Sequence, residues 1–150
     1  MEDRKNGTTG DNSPEITVII PEKTDRGTLD ECLRSVYRSI GAAGDSVEVL
    51  IVDDGMDEKT LSTARKYPAR IIGNSGRGVS AARNTGAREA RNEIIFFIDS
   101  DIVLSEDAVS RVREHFRDRE IDGVVGLISD DVPYNDFFSH YKNLWMHYTY

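Results

Sequence analysis

The sequence predicts an α/β fold, a mostly parallel sheet covered by helices on both faces. Two observations carry that expectation. Five short apolar runs recur along the chain, at residues 16–20 (ITVII), 47–52 (VEVLIV), 69–72 (ARII), 93–98 (EIIFFI) and 123–128 (GVVGLI). Near-continuous apolar strands, as opposed to alternating ones, belong to sheets buried on both sides. The segments between the runs carry helical signals, and a helix between strands is how parallel neighbours are connected. A chain of 150 residues buries roughly two-thirds of its unfolded surface, enough for one core of this kind.

Taken in order, residues 1–13 (MEDRKNGTTGDNS) hold no large aliphatic side chain after Met1 and are expected to be a disordered polar tail, with the domain spanning 14–133. The β-branched run 16–20 ends at Pro21. A stripe of Leu29, Leu33, Val36, Tyr37 and Ile40 follows at steps of three and four, which marks a helix with one apolar face. The second strand ends in Asp53-Asp54-Gly55, and residues 58–67 read as a short helix closed by Pro68. After the third strand comes a glycine-rich loop, Gly73 to Gly78, feeding a small-residue helix over 79–91. The fourth strand closes on Asp99-Ser100-Asp101. Ser105 has the chemistry of an N-cap, with Glu106 and Asp107 in the first turn of a helix reaching about Arg117. Residues 123–128 supply the fifth strand.

Residues 134–150 hold seven of the twelve aromatics, with Phe137, Tyr141, Leu144, Trp145 and Tyr148 at helical spacing. This aromatic-rich helical segment suits packing on the sheet, a membrane interface, or a domain belonging to a longer protein.

Composition narrows the function classes. A formal charge of −8, from 19 basic and 27 acidic residues, opposes attraction to phosphate backbones and disfavours a nucleic-acid partner. Cys32 is the only cysteine, so no disulfide or zinc framework exists, and its place in an amphipathic stripe suits a buried structural thiol. With no apolar signal core at the N-terminus, the expected location is the cytoplasm, or the cytoplasmic face of a membrane for a longer protein. His115, His140 and His147 lack metal-ligand spacing, and there is no nucleophile elbow or Walker loop.

The chemistry is expected beyond the carboxyl ends of the strands, where open parallel sheets bind ligands. Three polar clusters fall there: Asp53-Asp54, the glycine-rich loop with Arg83 and Asn84, and Asp99 with Asp101. Carboxylates one residue apart suit Mg²⁺ or Mn²⁺, and acids gathered on two neighbouring strand ends repel one another unless a cation joins them. Arg88 and Arg91 read as solvated surface groups.

Four segments, 14–21 (PEITVIIP), 49–55 (VLIVDDG), 78–86 (GVSAARNTG) and 96–101 (FFIDSD), in this order and spacing, resemble the nucleotide-sugar-binding half of family 2 glycosyltransferases. The resemblance covers residues 14–128 and implies a GT-A-like, Rossmann-like fold. It implies that Asp53 and Asp54 recognise the base or ribose, and that Asp99 approaches the ribose. Asp101 holds Mn²⁺ or Mg²⁺ on the diphosphate, and Arg83 and Asn84 shape the donor pocket with Arg83 near the phosphates. Pro21 and Ser100 belong to the same nucleotide-sugar site. The donor is a nucleoside diphosphate sugar, UDP-sugar ahead of GDP-sugar, and transfer to the acceptor hydroxyl is inverting. Two departures stand out. Pro21 is followed by Glu22, Lys23 and Thr24, so Lys23 replaces an aromatic that stacks on the base. The family places its catalytic base and acceptor site downstream, and no residue here is assigned as that base; Asp130 and Asp131 qualify by chemistry alone.

Other classes share parts of the pattern. A receiver domain would phosphorylate Asp99 and use Ser129 as a switch hydroxyl, but Lys142 comes too early for its lysine. Residues 99–104 (DSDIVL) imitate a haloacid-dehalogenase motif that normally opens a chain. A non-catalytic nucleotide-binding module is the third alternative.

Overall fold

The computed structural model describes residues 15–24, 26–43, 47–118, 120–127, 129 and 141. The tail 1–13, Asp130, Asp131, His140, Lys142, His147 and the aromatic segment other than Tyr141 lie outside the described residues.

Eight elements follow one another: β1 (Ile16–Glu22), α1 (Leu29–Ala43), β2 (Val47–Asp53), α2 (Glu58–Ala64), β3 (Arg70–Gly73), α3 (Val79–Glu89), β4 (Ile94–Phe97) and α4 (Ala108–His115). The four strands form one sheet in the order β3-β2-β1-β4, with every pair parallel. The chain winds outward from β1 to β3, then returns to place β4 on the other side of β1. The strand order therefore reverses between β1 and β4, which is where an open parallel sheet offers a ligand crevice. The acids ending β2 and β4 flank β1 and do not sit on neighbouring strands, as the sequence had implied.

Alternation along the strands splits the core into two layers. Ile16, Val18 and Ile20 share a face with Val49 and Ile51, packed with Leu29, Leu33 and Val36 of α1, Ala64 of α2 and Val109 of α4. Ile19, Leu50 and Val52 face the other way, against Ala82 of α3. Both layers are closed to solvent, so each fully buried Leu, Ile or Val contributes about 1.5–3 kcal/mol. Truncating Leu33 to Ala removes about 2–5 kcal/mol, because the sheet beneath it is too rigid to collapse into the gap. Gly86 sets the approach of α3: a Cβ there would lie 2.5 Å from Ile19 Cγ2 and 3.2 Å from Val52 Cγ2.

α1 forms where the stripe predicts, and Asp30 and Glu31 in its first turn complement the helix dipole. Two serines inside it hold the segment after β4. Ser35 Oγ accepts from Leu104 N at 2.9 Å, and Ser39 Oγ accepts from Val109 N at 3.0 Å. α2 begins at the Asp57 cap, whose Oδ1 accepts from Thr60 N at 2.8 Å, and it ends at Ala64, short of Pro68.

Two expectations fail. Ser105 does not cap α4: its hydroxyl donates to Asp107 Oδ1 at 2.7 Å while its carbonyl accepts from Ala108 N in a turn, and the helix starts at Ala108. The acidic pair Glu106-Asp107 thus precedes the helix, and Asp107 instead takes a hydrogen bond from Arg111 Nε at 2.6 Å. Of the expected fifth strand, Ile128 lies outside the described residues, and 123–127 form no strand among the described residues; Val125 and Leu127 are 84% and 61% exposed. An apolar run becomes a strand only when a neighbour takes up its backbone groups and a layer covers its side chains.

The chain divides into two compact units, Met1–Glu120 and Ile121–Tyr150. The first contains the whole sheet. Of the second, Tyr141 is helical and 61% exposed. No helix among the described residues is long and apolar enough to cross a membrane.

Candidate functional site

A cleft of about 350 Å³ opens at the reversal of strand order, lined by Pro21, Thr24, Arg26, Thr28, Val79, Arg83, Asp99, Ser100 and Asp101. Three walls meet there: the β1–α1 loop, the first turns of α3, and the turn after β4. Of the residues expected from sequence, Pro21, Arg83, Asp99, Ser100 and Asp101 come together in this cleft. Asp53, Asp54 and Asn84 do not line it.

The turn after β4 follows directly from the sheet. Ile98 N donates to Ile19 O at 3.0 Å, the last strand-like bond, and Ile102 N donates to Asp99 O at 3.0 Å to close a turn over Ser100 and Asp101. From below, Cys32 Sγ contacts Asp99 O at 3.7 Å. Burial, and then the charges of Asp101, Glu22 and Asp99, push the Cys32 thiol up to about 12, so it stays protonated and packs as an apolar group. Arg83 reaches across from α3 and donates through Nη2 to Asp99 Oδ1 at 2.5 Å, with both side chains well exposed at 38% and 56%. Asn84 is exposed on the adjoining helix face, as neighbouring helical residues point about 100° apart.

Asp53 is engaged with the backbone of its own loop, and Asp54 with the loop after β3. Asp53 Oδ1 accepts from Gly55 N at 2.7 Å and Met56 N at 2.6 Å, the turn an Asx side chain favours, and Gly55 there takes a φ of +108°. Asp54 fastens the glycine-rich loop. Its Oδ1 accepts from Asn74 Nδ2 at 2.7 Å and from Gly78 N at 3.0 Å. The Asn74 and Gly78 bonds hold its carboxyl below the ordinary value of 3.8, with a smaller contribution from nearby Lys23. Asn74 Oδ1 in turn accepts from Gly76 N at 3.0 Å and Thr85 Oγ1 at 3.1 Å. Arg88, expected to be solvated, donates to Ser75 Oγ at 3.0 Å and locks the far side of the same loop. Arg91, likewise expected in solvent, binds Glu48 at the opposite end of the sheet through its backbone N at 3.0 Å.

Glu22, the residue after Pro21, is only 5% exposed; its Oε1 accepts from Lys23 N at 2.7 Å while its Oε2 is buried without a partner. Sequence reasoning missed Thr24, Arg26 and Thr28 as cleft residues. The signal available was position: a cation and two hydroxyls in the first strand–helix connection border the strand-order reversal whenever the next β-strands wind away from it.

The oxygen donors of the cleft are the two exposed carboxylates of Asp99 and Asp101 and the hydroxyls of Thr24, Thr28 and Ser100, all hard ligands. Among the described residues no group of three His, Cys, Asp or Glu side chains can enclose a metal ion. Such a set fits Mg²⁺ or Mn²⁺ held by one or two carboxylates, with water and substrate phosphates filling the remaining positions.

A family model described as glycosyl transferase family 2 matches residues 17–150. Among curated proteins, the glycosyltransferase EpsJ of Bacillus subtilis, itself uncharacterised, is 29% identical over 118 residues, 75% of this chain and 33% of its own length. Among solved structures, Staphylococcus aureus TarS superposes with a TM-score of 0.60 at 22% identity, covering 71% of this chain and 20% of that one. That likeness establishes the fold. The mannosyltransferase PcManGT of Pyrobaculum calidifontis, solved in complex with GDP-Man and Mn²⁺, gives a TM-score of 0.58 at 27% identity over 65% of this chain and 31% of that one. This chain thus spans about a third of the length of such relatives.

Proposed function

The chain belongs to glycosyl transferase family 2, and from that premise we propose that its cleft is the donor site of a metal-dependent, inverting glycosyltransferase. Such an enzyme moves a sugar from a nucleoside diphosphate sugar, UDP-linked ahead of GDP-linked, to an acceptor hydroxyl. The observation that carries the reading is the meeting of Arg83, Asp99, Ser100 and Asp101 with Pro21 in one cleft at the strand-order reversal. The GDP-Man and Mn²⁺ held by PcManGT support the same assignment of ligand classes.

In this reading Asp101, with Asp99 beside it, provides the oxygens for Mn²⁺ or Mg²⁺. The ion, when bound, neutralises the charge that develops on the departing diphosphate. Arg83 supplies a fixed cation from the α3 wall, and its ion pair with Asp99 keeps that carboxylate oriented. Asp53 and Asp54 do not line the cleft; any part they take in recognising the base or ribose is indirect, through the loops after β2 and β3 that their carboxylates hold, and Pro21 fixes the chain where it leaves β1. The buried, protonated Cys32 fits a reducing, cytoplasmic setting.

The test is calorimetric titration with UDP, GDP, dTDP and CDP, each with and without Mn²⁺. The expected result is binding of one nucleotide that strengthens at least tenfold with metal. Absence of binding to all four by the folded chain, with metal present, would overturn the donor-site reading.

A further inference from the structure

The cleft contains two cations, and they are in different states. Arg83 is committed to Asp99 at 2.5 Å. Arg26, in the β1–α1 loop, lines the same cleft, is exposed, and among the described residues has no ion-pair partner. Thr24 and Thr28 of the same loop also line the cleft. The loop is shaped to present it: Gly27, directly after Arg26, has φ +94°, a conformation that L side chains rarely adopt, and nothing lies within 4 Å of where its Cβ would be. Space would admit a larger residue at 27; the backbone turn would not. In a chain with formal charge −8, an exposed cleft guanidinium with no ion-pair partner among the described residues is a group that can receive an anion.

We infer that Arg26 is a donor-binding residue, the cation by which the β1–α1 loop grips the diphosphate of the nucleotide. The inference rests on the donor-site reading and adds a residue and a wall to it. The physical argument is a difference in cost. Recruiting Arg83 to a phosphate requires loosening its bond to Asp99, whereas Arg26 exchanges only water for phosphate oxygens. A guanidinium offers a planar fork of N–H donors that matches a phosphate, and charge-assisted bonds of this type are about twice as strong as neutral ones. Arg26 would thus supply the phosphate contact while Arg83 keeps its bond to Asp99. Lys23, which stands where an aromatic would stack on the base, is the neighbouring positive charge and lies near Asp54.

The experiment compares UDP, UMP and uridine, each with Mn²⁺, on the wild-type chain, Arg26→Ala and Arg26→Lys. Binding is followed by calorimetry, or by ligand-observed NMR for the nucleoside. The expected result is a loss of about tenfold in UDP affinity in Arg26→Ala with uridine affinity unchanged, partial recovery in Arg26→Lys, and a shallower salt dependence in the alanine variant. Arg26 is exposed, so the melting temperature should not move. Gly27→Ala, which keeps the guanidinium but disfavours the turn, should weaken UDP binding less than Arg26→Ala does. Equal UDP affinity in wild type and Arg26→Ala would overturn the inference and leave the donor site standing. An equal loss for UDP and uridine would also overturn it, since Arg26 would then act on the base or the loop and not on phosphate. If the wild-type chain binds no nucleotide, the donor-site reading fails and this inference fails with it.

Discussion

Asp54 and Asp101 each sit just beyond an apolar strand, in acidic motifs that look alike on paper, yet the fold treats them in opposite ways. Asp54 accepts from Asn74 Nδ2 and Gly78 N and ties the glycine-rich loop to the end of β2. Asp101 is exposed in a two-residue turn and faces the cleft. One carboxylate stabilises the frame; the other leaves its oxygens available for a ligand. A strand-end acid supported by backbone N–H groups is part of the architecture, and one left exposed beside a reversal of strand order is where the chemistry is to be sought.

The largest expected effect separates the two loops. Asp101→Asn should reduce metal-dependent nucleotide affinity by about 100-fold, the scale on which metal sites respond to losing a supporting group, while leaving thermal stability nearly unchanged because the side chain is exposed. Asp54→Ala should do the reverse in kind: the loop loses its anchor, and trypsin should cut after Arg77 several-fold faster than in the wild type, checked by timed digestion and mass spectrometry. The pH dependence sharpens the contrast. Asp54's carboxyl is held below its ordinary value by the bonds it accepts, so its contribution is present above that value and lost as pH falls through the lowered one. Protection of the Gly78 amide in hydrogen exchange should therefore persist at about pH 5 and fade only once the pH is below the ordinary carboxylate value of 3.8. The smallest effect is expected at Asp53. Asp53→Asn keeps an acceptor oxygen for Gly55 N and Met56 N, so stability measured by denaturant unfolding should stay within about 0.5 kcal/mol.

How much of this was legible in the sequence depended on the range of the interaction. β1, β2 and β4 and the α1 stripe were readable because an apolar, β-branched run or a three-four spacing reports burial directly. Residues 123–127 carried the same apolar signal without a strand among the described residues, since pairing requires a partner that the run itself does not encode. Ser105 had the chemistry of a cap, but a competing acceptor two residues away, Asp107, took its hydroxyl. In the candidate site, the acids and Arg83 stood in recognisable motifs. Arg26 did not, because its importance comes from the return of the chain that places β4 beside β1 and makes the first loop a wall of the cleft. Ser35 and Ser39 are similar cases: helix-interior serines whose partners, Leu104 N and Val109 N, lie about 70 residues away.

The central claim is that the metal-dependent part of nucleotide binding is located at the turn after β4. Amide chemical-shift mapping tests it most directly, by subtracting the shifts caused by UDP alone from those caused by UDP with Mg²⁺. The account requires that the difference centre on Asp99, Ser100 and Asp101 and extend to Arg83, with Gly55 and Met56 little affected. A difference centred on the loop after β2, or none at all while UDP binds, would contradict it.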